Sequence, residues 1–558
     1  MDFSQGLRGK MKKAELLLIS DTIFDSVRDR PFSGGIAISG KRIDFVGSKQ
    51  TAMQYAGPYT VVKDFGDNLI SPGFCDSHVH LEGSVKKDCA VVAKDLDRCT
   101  SEEDCVDVVR AFAKEHPELK RINGTNWCLS SWGPGAPPPT KASLDKYFPD
   151  IPVYLFGADG HTNWINSKAI EECELSKIIA CNPQFPAHYA PRDENGEFTG
   201  FLRESPGFLV HHFALNYPPE TRAQYHAEYT KLLSSMGITA LSEVSMTTPD
   251  SIIDQYWTLK AMENSGDLTV RYYLSVTPRG TAPYTTEQIK ELDRLKVFFN
   301  TDKLRISGIK TILDGWPFAH TSSLLEPYSD NPSTKGDFRF PAEVPLAWFK
   351  EANRLGYPVR VHCSGDAAVR LALDCFEESN RVNDNSNIRN TVDHMDCPSD
   401  EDIPRFAKLG VIASMQPSHL IMSRGIFSHI YGNRSKNEWC FRKLIDAGAI
   451  IAVGTDSPVT DINPYHTIYK AVTRKDLDGT QYSPMTVDQA LTLSEVLKGY
   501  TLNAAYINGM ESKVGTIEAG KYADITVSDK NLYAIPADEI KNCRTVCTVF
   551  NGRVVYEE

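Results

Sequence analysis

Eight short apolar runs, rich in β-branched residues and separated by helical segments, constrain the fold of this 558-residue chain more than any other feature. Such alternation predicts βα units and a parallel sheet, and eight parallel strands can close into a barrel. Several runs end in a polar or ionisable residue, at the strand ends where α/β barrels build their sites. The predicted barrel strands are residues 69–78, 238–244, 269–276, 304–312, 358–363, 391–395, 411–416 and 450–456.

Both ends of the chain have a different sequence pattern, which is typical of short strands joined by turns. Residues 14–65 contain alternating apolar runs that meet at Ser39-Gly40, and Asn551-Gly552 marks a two-residue hairpin near the C-terminus. Neither end has enough strands for an independent sheet, so we predict one small β domain built from both ends. Residues 85–235 are too many for a simple crossover helix, which predicts an inserted subdomain after the first barrel strand.

The amino-acid composition limits the classes of protein and of partner that this chain can represent. The chain is 41% hydrophobic and 24% charged, and its net charge of -12 argues against a nucleic-acid partner. It contains no run of eighteen apolar residues, so we expect no transmembrane helix and no membrane partner. The thirteen cysteines are scattered without a Cys-x-x-Cys pair, which indicates reduced, mostly buried thiols and a cytoplasmic protein.

The first barrel run ends in Asp76, His78 and His80, at alternating positions. Because side chains of a strand alternate between its faces, these residues share one face, where two imidazoles can grip a metal ion. The same rule turns Asp393 away from the face of His394, so we do not count Asp393 as a ligand. The remaining candidates at strand ends are Lys310, His362, His394 and Asp456.

Lys310 requires a chemical explanation within this set, because a protonated amine is a poor metal ligand. A lysine amine can react with carbon dioxide to give a carbamate, an anionic bridge that resembles a carboxylate. The whole set of nitrogen and oxygen donors therefore suggests two metal ions, roughly 3.5–4 Å apart, that share a bridging oxygen.

The order of these residues resembles the amidohydrolase superfamily of metal-dependent hydrolases. The flanking sequence resembles its YtcJ-like branch, which includes N-substituted formamide deformylases. The resemblance covers nearly the whole chain and implies an α/β fold, with a (β/α)8 TIM-like barrel over 69–514 and a composite β-sandwich from 1–68 and 515–558. It is carried by the passages SPGFCDSHVH, FGADGHTNWINSKAI, TGFLRES, GIKTILDG, VHCSGDAAV, TVDHMD, SMQPSH and VGTDSPV.

The resemblance also implies a role for each candidate ligand. The implied assignments are one metal ion on His78, His80 and Asp456, a second on His362 and His394, and the Lys310 carbamate as the bridge. Zinc is the first expectation for both ions, and manganese, iron or cobalt also suit such donors. A homodimer is common among such enzymes and is an open alternative here.

The chemistry implied by such a centre is hydrolysis of a C–N amide bond, of the N-acyl or N-formyl type, in a small molecule. Water that bridges two cations is hydroxide near neutral pH, and one metal ion polarises the substrate carbonyl. Asp456 is expected to take the proton of that hydroxide and pass it to the leaving nitrogen. The resemblance implies that His161 contacts substrate or stabilises the transition state.

The candidates for substrate binding rest on weaker signals. Aromatic side chains and one histidine could line an apolar pocket, although aromatic residues more often belong to a core. Arg203 could present a cation to a substrate carboxylate, and a solvated ion pair explains it equally well. Gln416 is a candidate by its position at a strand end. The pocket candidates are Trp132, Trp164, Trp316 and His320.

Two alternatives stay open at the level of sequence. Hydrolysis of a cyclic amide, a lactone or an ester would use the same metal centre, because the attacking hydroxide does not discriminate among these carbonyl groups. A non-catalytic scaffold that retains the barrel is the alternative from another class. All six ligand positions carry competent donors, which disfavours the scaffold.

Overall fold

Strands from both ends of the chain pair into one eight-stranded sheet, and strands are numbered here along the chain. Ser39 pairs with Arg42 across a two-residue turn, and Phe550 pairs with Arg553 across Asn551-Gly552, where both φ angles are positive as this turn requires. The strands are β1 (Leu16–Ile23), β2 (Phe32–Ser39), β3 (Arg42–Gly47), β4 (Val61–Asp64), β5 (Leu69–Pro72), β18 (Ile525–Ser528), β19 (Thr545–Phe550) and β20 (Arg553–Glu557). The sheet order is β20-β19-β18-β5-β1-β2-β3, with β4 beside β1. A sandwich arrangement of this sheet stays a prediction.

A second sheet of eight parallel strands nearly closes into a barrel. The carboxyl end of its first strand and the segment that follows its last strand are joined by two backbone hydrogen bonds of 2.8 Å, from Asp456 N to His78 O and from His80 N to Ser457 O. The sequence prediction of an eight-stranded parallel barrel is confirmed. In order around the barrel the strands are β6 (Phe74–Val79), β11 (Ile238–Glu243), β12 (Arg271–Val276), β13 (Leu304–Ile312), β14 (Val359–Cys363), β15 (Thr391–His394), β16 (Ile412–Met415) and β17 (Ile451–Val453).

The first predicted barrel strand, residues 69–78, is in fact two strands that meet at Gly73. Its first part is β5 of the terminal sheet, and its second part is β6 of the barrel. Gly73 N donates a 2.9 Å hydrogen bond to Asp524 O, and a Cβ at Gly73 would lie 2.2 Å from Thr239 Oγ1. The prediction of one continuous strand is wrong because only a glycine fits where the chain passes from sheet to barrel.

The computed structural model describes residues 12–558 except Ala90, 134–135, 158–161, Gln184, 215–216, 246–248, Thr281, Ser386, 421–426 and 482–483. The chain divides into two units, one of Met1–Lys87 with His226–Glu558 and one of Asp88–Tyr225. The sheet from the two termini and the barrel therefore belong to a single unit. The sequence prediction put the inserted subdomain at 85–235.

The unit of residues 88–225 has its own four-stranded sheet. Its core includes the aromatic rings of Trp127 and Trp164, both without exposed surface. Its helix Glu102–Glu115 begins where Ser101 Oγ accepts a hydrogen bond from Asp104 N. The sheet order is β10 (Phe201–Arg203), β9 (Thr162–Ile165), β8 (Val153–Gly157) and β7 (Ile122–Trp127).

The helices place one apolar face inwards. In Asp366–Val382, the buried residues Ala368, Ala372 and Cys375 recur every three or four positions, the spacing of one helical face.

Among the described residues, no helix combines the length and the apolar content needed to cross a bilayer. The α-helices are Lys49–Ala52, Leu81–Cys89, Glu102–Glu115, Lys141–Asp145, Ser167–Glu172, Leu175–Cys181, Glu204–Ala214, Pro219–Ser235, Pro249–Ser265, Thr286–Lys296, Glu343–Arg354, Asp366–Val382, Ile403–Leu409, Phe427–Tyr431, Phe441–Asp446, Pro464–Thr473, Leu493–Gly499 and Leu502–Ile507. The 3-10 helices are Met53–Tyr55, Leu96–Arg98, Leu129–Trp132, Ala187–Tyr189, Pro317–Ala319, Pro417–His419, Gly432–Asn437, Pro484–Gln489 and Ala537–Asn542.

Candidate metal centre

His78, His394 and Asp456 come together at the carboxyl ends of three barrel strands. His78 lies on β6, His394 ends β15, and Asp456 follows β17. One potential ligand atom of each residue lies within 4.8 Å of those of the other two, and all three side chains are buried. The structure thus brings together three residues that the sequence predicts as metal ligands.

Several buried polar atoms in this group make no aligned hydrogen bond with the described residues, although some lie close to one another. The unpartnered atoms are His78 Nε2, His394 Nδ1 and Asp456 Oδ1. Buried polar atoms are normally hydrogen-bonded, because leaving one unpaired costs about 1–3 kcal/mol. Coordination of a divalent cation would satisfy all three atoms, and histidine nitrogen with carboxylate oxygen is a common donor set for such ions. The residues present therefore fit a metal ion.

Two further predicted ligands lie against this group. His80 Nε2 lies 3.0 Å from Asp456 Oδ1, and its side chain is 36% exposed, the most accessible imidazole of the set. The imidazole rings of His362 and His394 have centroids 4.4 Å apart. These contacts place His80 and His362 at the borders of the buried group.

Asp393 enters the centre although strand alternation predicts that it faces away. Its carboxylate contacts Lys310 Nζ, lies 2.7 Å from Arg360 Nη2, and lies 3.1 Å from His78 Nδ1. The prediction that Asp393 faces away from the centre is wrong. Asp393 of β15 pairs with His362 of β14 and so shares its face, and a φ of 74° at His394 interrupts the alternation at the end of β15. Successive side chains can then both reach the centre.

Burial controls the protonation of His78, His362 and Lys310. It lowers the pKa of His362 to about 4 and also lowers the pKa of His78, so both imidazoles are neutral near pH 7. Burial likewise lowers the pKa of Lys310, in spite of the neighbouring carboxylate of Asp393. Neutral imidazoles are the form that binds metal ions.

The carboxylates respond in the opposite way, because cations and histidines surround them. Burial alone would raise the pKa of Asp456, but His78, His419 and His80 outweigh it and hold that pKa well below its usual value. Arg360 and the other neighbours likewise hold the pKa of Asp393 well below its usual value against the effect of burial. Both carboxylates are therefore ionised near pH 7.

Asp76 has a structural position beside the centre. Its carboxylate accepts hydrogen bonds from His78 N at 3.0 Å, from Thr455 N at 3.0 Å and from Thr455 Oγ1 at 2.7 Å. These bonds join β6 to the segment that carries Asp456. Asp76 thereby helps to hold two ligand-bearing segments together.

The structure reveals two residues that the sequence analysis missed. Arg360 lies two positions before His362 on β14, so alternation alone would have put both on one face. His419 ends a short 3-10 helix after β16, and its Nε2 lies 3.2 Å from Asp456 Oδ2. The available signal for His419 was a histidine just past a predicted barrel strand, as for His80.

Three predicted substrate contacts belong to the same unit as the centre. The ring of Trp316 is 6.4 Å from that of His419, and Gln416 is fully buried with its Nε2 3.4 Å from His78 Nδ1. His320 Nε2 is 3.0 Å from Asp330 Oδ2. A role for these side chains in substrate binding stays a prediction.

The other predicted contacts lie in the unit of residues 88–225. Trp164 is fully buried in the core of that unit and Trp132 packs against the same core, as expected of structural aromatic residues. Arg203 is exposed, with its guanidinium carbon 4.9 Å from the ring centre of Phe201. His161, predicted as catalytic, lies outside the described residues.

Several known proteins are similar in sequence to this chain over nearly its whole length. A family model described as "Amidohydrolase family" matches residues 62–556. "Protein LONG AFTER FAR-RED 3" of Arabidopsis thaliana is 24% identical, with 97% of this chain and 92% of the relative aligned. "Putative amidohydrolase YtcJ" of Bacillus subtilis is 26% identical over 90% of this chain and 92% of the relative. "N-substituted formamide deformylase" of Arthrobacter pascens is 26% identical over 94% of each.

Solved structures share the fold. An uncharacterized metal-dependent hydrolase of Pyrococcus horikoshii superposes with a TM-score of 0.76 and 24% identity, over 94% of this chain and 99% of that structure. One from Pyrococcus furiosus superposes with a TM-score of 0.73 and 24% identity, over 92% of this chain and 98% of that structure. The barrel and its flanking elements are therefore an arrangement shared with known structures.

Proposed function

This chain belongs to the amidohydrolase family, and from that premise we propose that it hydrolyses a C–N amide bond, of the N-acyl or N-formyl type, in a small molecule. The observation that supports the proposal is the buried group of His78, His394 and Asp456 with unpartnered ligand atoms. The name of the Arthrobacter pascens relative, a formamide deformylase, supports the bond type.

We propose two divalent metal ions, with zinc first and manganese, iron or cobalt as alternatives. One ion would be held by His78, His80 and Asp456, and the other by His362 and His394. Lys310 would bridge them as a carbamate. The lowered pKa of Lys310 supports that modification, because a larger neutral share of the amine is available to react with carbon dioxide.

When bound, the ions would supply an activated water and polarise the substrate carbonyl. The chain contributes the groups that hold the ions and move protons. A carboxylate oxygen of Asp456 would accept a proton from the attacking water and deliver it to the leaving nitrogen. The neighbouring histidines keep the carboxylate of Asp456 ionised near neutral pH, which is the form that can accept a proton.

The second candidate function is hydrolysis of a cyclic amide, a lactone or an ester on the same residues. The metal-binding residues do not discriminate between these bonds, and a panel of substrates does. We propose that the partner is a small molecule and neither a nucleic acid nor a membrane. The net charge of -12 supports the exclusion of nucleic acid, which is itself negatively charged. A homodimer and a cytoplasmic location remain part of the proposal, to be tested by light scattering and by fractionation.

The experiment is elemental analysis of the purified protein by plasma mass spectrometry, followed by assays with N-acyl and N-formyl amines. We expect about two transition-metal ions per chain and release of both acid and amine. About one ion would point to a mononuclear centre. No metal after reconstitution with zinc or manganese and bicarbonate would reject the hydrolase and favour a scaffold.

A further inference from the structure

The two carboxylate oxygens of Asp456 face different histidines. Oδ1 lies 3.0 Å from His80 Nε2 and 3.3 Å from His78 Nε2, whereas Oδ2 lies 3.2 Å from His419 Nε2. We propose that His419 is a positioning residue, which holds Oδ2 so that Oδ1 stays directed at His78 and His80. The proposal rests on the proposed function in so far as Asp456 is a metal ligand.

The protein fixes the His419 ring on several sides. The side chain is 1% exposed, and its ring lies nearly parallel to that of His394, with an interplanar angle of 9° and a centroid distance of 5.6 Å. The rings of Trp316 and Trp439 meet it edge to face, at 6.4 and 5.6 Å. A buried ring packed in this way has little freedom to turn, as a positioning residue requires.

The hydrogen-bonding chemistry of the contact between His419 and Asp456 identifies Nε2 as the His419 atom that holds the carboxylate. An ionised carboxylate only accepts hydrogen bonds, so His419 must carry its proton on Nε2 to bind Oδ2. Neither ring nitrogen of His419 has an aligned hydrogen bond within the described part of the chain. Nε2 is nevertheless within hydrogen-bond reach of Oδ2, and such contacts often tighten when an enzyme site is filled.

The backbone at Asp456 explains why its side chain needs such support. Asp456 has a φ of 61°, in the left-handed region that non-glycine residues seldom occupy. Residues in such conformations persist only when their surroundings hold them. The backbone is held by the hydrogen bond from Asp456 N to His78 O, and His419 provides a matching contact for the side chain.

The test compares two substitutions of His419. His419→Phe preserves a ring between the neighbouring aromatic groups and removes the donor, whereas His419→Gln offers an amide N–H near the position of Nε2. We expect His419→Phe to lower zinc affinity, measured by chelator competition, by about 10- to 100-fold. We expect His419→Gln to recover most of that loss, and kcat of the zinc-loaded enzyme to follow the same order with little change in KM.

A matched control is His466→Phe. His466 is half-buried, and its Nδ1 lies 2.8 Å from Asp461 Oδ1, so this variant also removes a histidine from a histidine–aspartate pair. It should keep the zinc affinity of the unaltered protein. Thermal unfolding of all three variants checks that each is folded before its zinc affinity is compared.

Crystal structures of the two His419 variants decide the positioning role independently of activity. We expect a rotated Asp456 carboxylate in His419→Phe and the original orientation in His419→Gln. Unchanged orientation and zinc affinity in His419→Phe would overturn the proposal. So would equal losses of affinity in both variants with Asp456 unmoved, because the imidazole itself would then bind the metal. If the unaltered protein binds no metal, the proposed function fails, while the orientation of Asp456 still decides the role of His419.

Discussion

Asp393 Oδ1 lies 3.1 Å from Nδ1 of His78, and both side chains are buried. A carboxylate in this position favours the His78 tautomer with its proton on Nδ1. That tautomer leaves Nε2 free, on the side of Asp456. Arg360 Nη2 lies 2.7 Å from the same Asp393 oxygen, so the carboxylate that orients His78 is itself held in place.

Replacing Asp393 by Asn should therefore weaken metal binding without removing a ligand. We expect a loss of about 10- to 100-fold in zinc affinity, because the amide orients the His78 imidazole less well. Chelator competition measures it. In the Asp393→Asn variant the buried guanidinium of Arg360 loses its carboxylate partner. If that unfolds the protein, the double variant Asp393→Asn with Arg360→Met is measured instead. Zinc affinity equal to that of the unaltered protein would contradict this role for Asp393.

Asp456→Asn tests the proposed proton transfer. The amide has a similar shape but is not a base, so we expect kcat to fall by about 10²–10⁴-fold. Metal content is measured on the same sample, because a loss of rate that accompanies loss of metal would not isolate the proton step. A variant that keeps its metal and the original rate would show that Asp456 does not carry the proton.

Lys310→Ala tests the carbamate bridge. We expect reduced metal content, because the variant has no amine that can become an anionic ligand. Added short-chain carboxylic acids should restore part of the metal content and activity, since they can occupy the space of the carbamate. Full metal content in the variant without added acid would count against the bridge. Lys303→Ala, a lysine outside the centre, is the matched control.

The release of metal by acid should occur in two stages. Asp456 raises the pKa of His80 despite burial, whereas burial lowers the pKa of His362 to about 4. Protons compete with metal ions for neutral imidazoles, so the ion held through His80 should leave first as the pH falls. We expect metal content, measured after dialysis against buffers of decreasing pH, to fall from about two ions per chain to about one before the second ion is lost. Loss of both ions in one step would contradict this order.

The ion pair of Arg271 and Asp524 should be important for stability. Arg271 Nε lies 2.6 Å from Asp524 Oδ2, both side chains are buried, and the pair joins the barrel to the sheet formed by the termini. Removing one partner of a buried pair leaves a charge unpaired, so Asp524→Asn should cost about 3–5 kcal/mol of the free energy of unfolding. Denaturant unfolding measures it.

The control for that measurement is an exposed pair. Lys49 and Asp64 lie 2.8 Å apart with half-exposed side chains. Asp64→Asn should change the free energy of unfolding by no more than about 1 kcal/mol, because water screens the pair. Equal effects of the two substitutions would show that burial of the Arg271 pair is not what makes it important.

The sequence was sufficient to predict the barrel and the residue types at its strand ends. Strand periodicity and turn residues are local properties of the sequence, so they can be recognised without knowing how the rest of the chain folds. A parallel barrel brings the carboxyl ends of its strands to one rim, so the sequence alone places His78, His394 and Asp456 near one another.

Only the tertiary structure decided how the neighbours of those residues are arranged. Asp393 pairs with His362 and shares its face, a φ of 74° at His394 interrupts the strand alternation there, and close packing at Gly73 divides the first predicted strand. His419 reaches Asp456 through the path of the segment after β16. These features depend on individual φ angles and on contacts between segments far apart in the chain, and local sequence patterns do not specify either.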